Sequence, residues 1–362
     1  MYIYVMGVKN LSKILKKFCP DHIKRTKLDK YSNAIIGIDA SIFLYKNIYV
    51  SNMYNKPNHY LQLFFKQIMD MIERNITPIY IFDGQAPIAK EDELLKRTES
   101  RSQRSSEIER QTNELDIIQQ LLLEAKKQKD QDKIYELRAD ITHKKNKLKK
   151  KQDAIIHVTD THKSNLKKLL TILSIPYIQG YEETDPLTAQ LCKDNLLDFV
   201  MSEDMDYLPL QCPKLIRTER NSADEEKWLL EYDYKDIIQS LGLSETEFTD
   251  LCILCGCDYV EQLYKIGPLT SIKLIKEHKS IENVLQHIDK DKHNVPENYM
   301  EKVHRARECF AKTYTHRIKK EMLCRYTPNY DKLQLFFDRF CTFGTYIQTQ
   351  YIQTLKQTSQ SS

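Results

Sequence analysis

Five short apolar runs, rich in β-branched and aromatic residues and mostly separated by helical patterns, constrain the fold of this chain more than any other feature. They are NAIIGIDA (33–40), TPIYIFDG (77–84), IPYIQG (175–180), LLDFVMS (196–202) and KLIRT (214–218). Strand-length runs alternating with helices argue for an α/β fold, in which a mainly parallel twisted sheet is covered by helices on both faces. From Glu245 onward the pattern is helical, with GPLTSIKLIKEHKSIENVL carrying apolar residues at helical spacing. The closing QTQYIQTLKQTSQSS is polar and is expected to fray. The expected organisation is an α/β core over 1–244 with a helical insertion at 88–174, a helical region over 245–346, and a polar tail over 347–362.

Four of the five runs lead into carboxylates. Asp39 ends NAIIGID, Asp83 ends TPIYIFD, Glu183 and Asp185 follow IPYIQGYE, and FVMSEDMDYL (199–208) runs into Glu203, Asp204 and Asp206. Two like charges about 4 Å apart repel by roughly 4 kcal/mol at the effective dielectric of a protein surface, so such a cluster needs an offset. Either the groups point apart into water or cations sit between them. In an open parallel sheet, ligands bind outside the carboxyl ends of the strands, where these acids converge. Hard oxygen ligands with no accompanying His or Cys cluster suit Mg²⁺ or Mn²⁺, and two such ions clamp the attacking and leaving oxygens in phosphodiester hydrolysis.

Between Pro87 and Pro176 lie 88 residues without a single Gly or Pro. Ile108, Leu115, Ile118 and Leu122 fall near heptad spacing, as do Ile134, Leu137, Ile141 and Leu148, with the polar break KKQKDQDK (126–133) between them. Two antiparallel helices satisfy this pattern; one continuous helix is the alternative. At 100° per residue Lys90, Arg97, Arg101 and Arg104 share a narrow helical stripe, which suits one phosphate track or a solvated face. Six lysines fall within KKNKLKKK (144–151), again a phosphate-binding surface or a solvated helix face. The net charge of +4 is too mild to argue nucleic-acid binding by itself. Nine scattered cysteines do not form a secreted disulfide framework, and Cys252, Cys255 and Cys257 read as buried thiols rather than a zinc knuckle. No run approaches a membrane span or a signal peptide, so an intracellular protein is expected.

MGVKNLSKILKK, IGIDASIFLYK, PIYIFDG, LLKR, IPYIQGYEETD, SEDMDYL, LCILCGCDYV and IGPLTSIKLIKEHKSIENVL occur in the order and approximate spacing of the flap endonuclease family of structure-specific 5′ nucleases, from Met6 to about Tyr346. The resemblance implies a saddle-shaped α/β domain that binds two divalent ions, Mg²⁺ with Mn²⁺ as substitute, and cuts DNA where double and single strands meet. It implies that Asp39, Asp83, Glu183, Asp185, Asp204, Asp206 and Asp258 are the metal-site acids. Lys90 and Arg97 match the basic pair at the base of the family's helical arch, which steers and polarises the scissile phosphate, with Arg101 and Arg104 continuing that stripe. Tyr45 matches an aromatic on which a base near the cleavage site stacks. KIGP (265–268) before a helix resembles a helix-turn-helix that grips one strand of downstream duplex through Lys265 and Gly267, a region that admits a K⁺ ion. Relatives begin at the Met-Gly corresponding to Met6 and Gly7, beside the active site; Met6 is therefore the expected start, or the preceding MYIYV folds away from the DNA.

The chain departs from the family pattern in four places. Asp185, followed by Pro186, stands where relatives place a second Glu, and Lys265 stands where a first Gly is usual. The arch segment is tens of residues longer than usual. No clamp-binding peptide is recognisable, which makes a sliding-clamp interaction doubtful, and QLFFDRF (334–340) is expected to pack as a core helix. The expected activity is Mg²⁺-dependent 5′ flap endonuclease with associated 5′ to 3′ exonuclease, acting as a monomer on flapped, nicked or gapped duplex. Relatives that cut bubbles, four-way junctions or RNA are the enzymatic alternatives, and a non-catalytic DNA-binding scaffold is disfavoured by the presence of all seven acids.

Overall fold

The computed structural model describes residues 7–85, 90–153, 155–219, 227–340 and 345–360, with side chains for all of these except 91–94, 97, 345, 346, 359 and 360. Its centre is a seven-stranded sheet: Ile23–Thr26 (β1), Ile35–Asp39 (β2), Thr77–Phe82 (β3), Tyr177–Gln179 (β4), Phe199–Met201 (β5), Lys214–Thr218 (β6) and Leu229–Asp233 (β7), in the spatial order β1-β7-β6-β5-β2-β3-β4. Strands β6 to β4 are mutually parallel, while β7 runs antiparallel to both β6 and β1. The five apolar runs account for the parallel part. β1 and β7 were not expected, because IKRT and LLEYD carry charge and pair across the chain, Ile23 with Tyr232.

Alternation along each strand divides the core in two. Ile79, Ile81, Val200 and Leu215 face a cluster built with Leu11–Phe18 (α1), Asp185–Lys193 (α7), Tyr234–Leu241 (α8), Glu245–Leu254 (α9) and Pro268–His278 (α10). Their neighbours Tyr80, Phe82, Met201 and Ile216 face Ala40–Met53 (α2), His59–Ile72 (α3), Asp160–Ile172 (α6) and Tyr330–Phe340 (α13). Helices therefore cover both faces. The helix α13 buries Leu333, Phe336 and Phe337, which makes QLFFDRF the core helix expected of it. Ile281–His287 (α11) and Tyr299–Ala311 (α12) complete the first layer.

The segment without Gly or Pro forms Glu91–Gln128 (α4) and Gln131–Asp153 (α5), reversing at Lys129, whose φ is 56°. Leu115, Ile141 and Leu148, flanked by Ile108, Ile118 and Leu122, make a small apolar seam of their own. Two helices, rather than one, are formed. Lys151 reaches Glu107 on α4 at 3.4 Å and so ties the pair together rather than standing free for backbone contact, and Lys144 lies 3.9 Å from Asp140. Lys145, Lys147, Lys149 and Lys150 are exposed.

The expected frayed tail is instead a helix, Thr345–Gln360 (α14). Leu355 is fully buried in the second cluster, and Tyr351 packs edge-on against Phe65 at 4.9 Å. A partly apolar stripe at helical spacing suffices to dock the helix, with the buried Gln348 satisfied by Gln334 of α13 at 2.6 Å. Residues Met1 to Met6, and with them the question of the starting methionine, lie outside the described residues.

Candidate active site

The register of the parallel strands brings the acids to one edge. Asp39 is level with Ile81 on β3, and the preceding Ile38 is level with Met201 on β5, so Asp39 has Ser202 as its lateral neighbour. Two residues further along, the chain reaches Asp83 on one side and Asp204 on the other, both with the side-chain parity of Asp39. Ser202 donates its hydroxyl to Asp39 Oδ2 at 3.0 Å and accepts the backbone N–H of Asp204 at 3.1 Å. Asp39 also caps α2, with Oδ1 accepting from Ile42 N at 3.1 Å. Asp204 Oδ1 accepts from Asp206 N at 2.9 Å, and Asp206 Oδ1 accepts from Val8 N at 2.6 Å. Asp206 Oδ2 is buried without a hydrogen-bond partner.

Strand parity also separates the three acids of SEDMD. Asp204 and Asp206 turn into the site, while Glu203 turns away, accepting from the Thr218 backbone and hydroxyl, with Arg217 at 3.8 Å and Lys46 at 3.9 Å. Its charge is offset locally. Those of its neighbours are not.

After β4 the chain contributes Glu183 and Asp185. Thr184 between them donates its N–H at 2.9 Å and its hydroxyl at 2.6 Å to the same oxygen of Asp83. Asp185 opens α7 ahead of Pro186, and its Oδ1 accepts the Tyr207 hydroxyl at 2.6 Å. Asp258, from the loop after α9, accepts Gly7 N–H at 3.3 Å. Lys90, immediately before α4, is 7% exposed and is paired with Glu183 and, at 3.1 Å, with Asp258 Oδ2. Its ammonium also lies 5.2 Å from the Tyr259 ring centre.

Burial, followed by mutual repulsion, shifts the titration of this group of acids. Asp39 is pushed up to about 7 by burial and then by Asp83. Asp204 is pushed up to about 6 by burial and then by Asp258. Asp206 and Asp185 are raised by the same combination, with Asp204 and Asp39 as their nearest charges. For Lys90, burial opposes the charged form, yet the carboxylate of Glu183 and its neighbours outweigh this and hold it charged well above the usual lysine range. Among the described residues the site is an excess of negative charge with the ammonium of Lys90 embedded in it.

Among the described residues, no three His, Cys, Asp or Glu side chains enclose a metal ion as they stand. Asp83 is turned to Thr184, Asp185 to Tyr207, and Glu183 and Asp258 to Lys90. The donor set is nonetheless all hard oxygen, and the unpartnered Asp206 Oδ2 and the raised carboxylates are the groups a cation would satisfy.

The remaining expected residues lie around this centre. Tyr45 on α2 receives a long contact of 3.4 Å from Arg101, which joins α2 to the first turns of α4. Arg104 is exposed, and the side chain of Arg97 lies outside the described residues. Lys90 precedes the helix and points inward, so it stands apart from the expected stripe. In the loop before α10, Lys265 takes the left-handed conformation at φ 61°, which explains why a glycine is usual at such a position. Gly267 is the residue before the Pro268 start of α10, and a side chain there would meet nothing within 4 Å, so the helix N-terminus is open to a phosphate. Ser202, Thr184 and Tyr207 were missed from the sequence. Ser202 and Thr184 each lie next to an expected acid, and strand parity or the E-T-D spacing is the signal that finds them.

Comparisons with known proteins agree with this arrangement. Residues 6–104 match the XPG N-terminal domain and residues 174–258 the XPG I-region, which between them hold all seven acids and Lys90. The chain is 33% identical over 315 residues to flap endonuclease 1 of Entamoeba histolytica, covering 84% of this chain and 75% of that protein. It is 32% identical over 303 residues to flap endonuclease 1 of Micromonas commoda, covering 81% and 72%. In fold it is similar to the catalytic core of Rad2 in complex with DNA substrate, with a TM-score of 0.67 at 19% identity over 96% of this chain and 99% of the other. It is also similar to flap endonuclease-1 from Methanococcus jannaschii, at 0.63 and 17% over 98% and 99%. For human GEN1 in complex with Holliday junction DNA the values are 0.62 and 18% over 96% and 77%. The chain belongs to the flap endonuclease family of structure-specific 5′ nucleases.

Proposed function

We propose that the protein is a Mg²⁺-dependent 5′ flap endonuclease with associated 5′ to 3′ exonuclease activity, acting at junctions of single- and double-stranded DNA. The observation that carries this reading is the meeting of Asp39, Asp83, Asp204 and Asp206 at one edge of the sheet, with Glu183, Asp185 and Asp258 brought in beside them. Two divalent ions bound there would supply Lewis-acid activation of water and of the leaving oxygen.

The chain's own residues position and protect that chemistry. Ser202 and Thr184 orient Asp39 and Asp83, and Tyr207 orients Asp185. Val8 N–H fixes one oxygen of Asp206 and leaves the other for a cation. Lys90, held beside Glu183 and Asp258, is the group placed to meet the scissile phosphate, and a cation there acts mainly on the charge developing in the transition state. Lys265 and the open N-terminus of α10 hold a duplex phosphate, which positions without reading sequence.

A panel of labelled flaps, nicks, bubbles, four-way junctions and RNA hairpins, incubated with Mg²⁺ or with EDTA, tests this. Preferred cutting of the 5′ flap, abolished by EDTA and by a bulky 5′ block bound beforehand, supports a strand threaded beneath α4 and α5. Preferred cutting of bubbles or four-way junctions, with blocked flaps cut equally well, would replace it with the junction-cutting reading.

A further inference from the structure

Beside the carboxylates lies a cleft that the proposed chemistry does not use. Its volume is about 940 Å³, between α6, β4 and α13. Asp83 and Gly84 line it beside the active site, and Asp160, at the start of α6, lines it where the chain has returned from α5. The intervening wall carries five cations, Lys163, Lys167 and Lys168 from α6 and Lys332 and Arg339 from α13. None of the five pairs with a carboxylate among the described residues, although the chain is rich in ion pairs elsewhere. Among the described residues Asp83 and Asp160 are the only acids lining the cleft, and Asp83 is engaged by Thr184.

Unpaired cations of this density are seldom left facing one another without an anion to share, because like charges this close repel. Apolar surface is interleaved with them. Tyr177 is 39% exposed and Leu335 is 69% exposed, and Arg339 lies 5.1 Å from the ring centre of Phe340. Lys167 sits over both Phe82, at 4.9 Å, and Tyr177, at 5.8 Å. Gln179 joins the cleft to the active site, accepting from Lys167 at 2.6 Å and donating to the carbonyl of Asp83 at 3.1 Å. A basic track with exposed ring faces is the surface that holds single-stranded nucleic acid without reading its sequence. A folded duplex would present no bases to Tyr177.

We infer that this cleft receives the single-stranded 5′ segment of a branched DNA after it has passed the carboxylates, and holds it while the junction is cut. The inference rests on the proposed function, since it is the cut at Asp83 and its neighbours that sets where the strand emerges. It makes the cleft a specificity device: substrates whose single strand is long enough to reach α13 bind better than those with a flap of one nucleotide.

The experiment compares affinity in EDTA for duplexes bearing a 5′ flap of one or of fifteen nucleotides, for the unsubstituted protein and for Lys163→Ala/Lys168→Ala/Arg339→Ala. The expected result is an advantage for the long flap that shrinks roughly tenfold in the triple variant, with the salt dependence of long-flap binding reduced by about two in log–log slope. In a second arm, a photoreactive thymidine placed in the flap a few nucleotides beyond the junction should crosslink the unsubstituted protein within α6 or α13. An unchanged long-flap advantage in a variant with an unchanged melting temperature, or crosslinks confined to α4 and α5, overturns the inference. So does displacement of the strand by none of the cleft substitutions combined with capture of an acidic peptide there, which would assign the cleft to a protein segment. Failure of the unsubstituted protein to cut any flap in Mg²⁺ would count against the proposed function alone, since binding and crosslinking still decide the cleft.

Discussion

Gly7 and Asp204 lie so close that a Cβ on Gly7 would fall well inside van der Waals contact distance of Asp204 Oδ1, with Asp206 Cγ at 2.8 Å. The backbone at Gly7 is also left-handed, at φ 81°. Gly7→Ala should therefore push Asp204 and Asp206 from their places and strain the turn by about 1 kcal/mol or more. The expected outcome is a drop in single-turnover cleavage of at least roughly a hundredfold, since small misplacements at a reacting centre cost on that order. Melting temperature should fall by only a few degrees; near wild-type turnover would show that the contact has no part in the site.

The raised carboxylates make stability depend on pH in a definite direction. Asp39 is pushed up to about 7 and Asp204 to about 6 from the ordinary 3.8 of an aspartate, so between these limits the folded protein holds protons that the unfolded chain has released. Without metal, stability is therefore greatest below about 4 as far as these groups are concerned and is lost as pH rises through 6 to 7. Mg²⁺ should flatten that slope and, at a hundred times its dissociation constant, add about 2.7 kcal/mol. Thermal melts in EDTA and in Mg²⁺ between pH 5 and 8 measure both effects. Asp206→Ala should weaken the Mg²⁺-induced rise in Tm and abolish cleavage, while flap binding stays within a few-fold because phosphate contacts elsewhere carry it.

Removing Lys90 should separate its two roles. In the absence of metal, Lys90→Ala leaves Glu183 and Asp258 without their shared cation, and a loss of up to about 3 kcal/mol is expected, restored by Mg²⁺. In Mg²⁺ the same variant should cleave roughly a hundredfold more slowly, with flap affinity reduced far less. Equal losses in the rate and in the binding constant would demote Lys90 to a binding residue.

Lys265→Gly tests the other departure from the family pattern. A glycine accepts the φ of 61° without strain, so stability should stay level or rise slightly, by a few tenths of a kcal/mol after the entropy of the unfolded chain is counted. If Lys265 contacts a duplex phosphate, the salt dependence of duplex binding should fall by about 0.9 in log–log slope. An unchanged slope would assign Lys265 to the turn alone.

Much of this molecule is legible along the chain because its periodicities are local. Short apolar runs rich in β-branched and aromatic residues announce β2 to β6, a stretch free of Gly and Pro announces α4 and α5, and the acids that end the strands are visible one by one. What stayed hidden depends on pairing at a distance. β1 is stabilised by a partner, β7, roughly two hundred positions away, and α14 by a buried stripe that contains Leu355 and touches Phe65. The roles of the acids were hidden in the same way. Glu203 looks equivalent to Asp204 and Asp206 in the sequence, but the pleat sends it toward Arg217 and Lys46. The sequence by itself determined which residues are acids, which runs are strands and which strand ends carry charge, since these follow from side-chain chemistry and the next few neighbours. Only the tertiary structure decided which oxygen of Asp206 lacks a hydrogen-bond partner in the site, and which five cations of the cleft beside it have no carboxylate partner among the described residues, because pairing is defined by everything folded around a group.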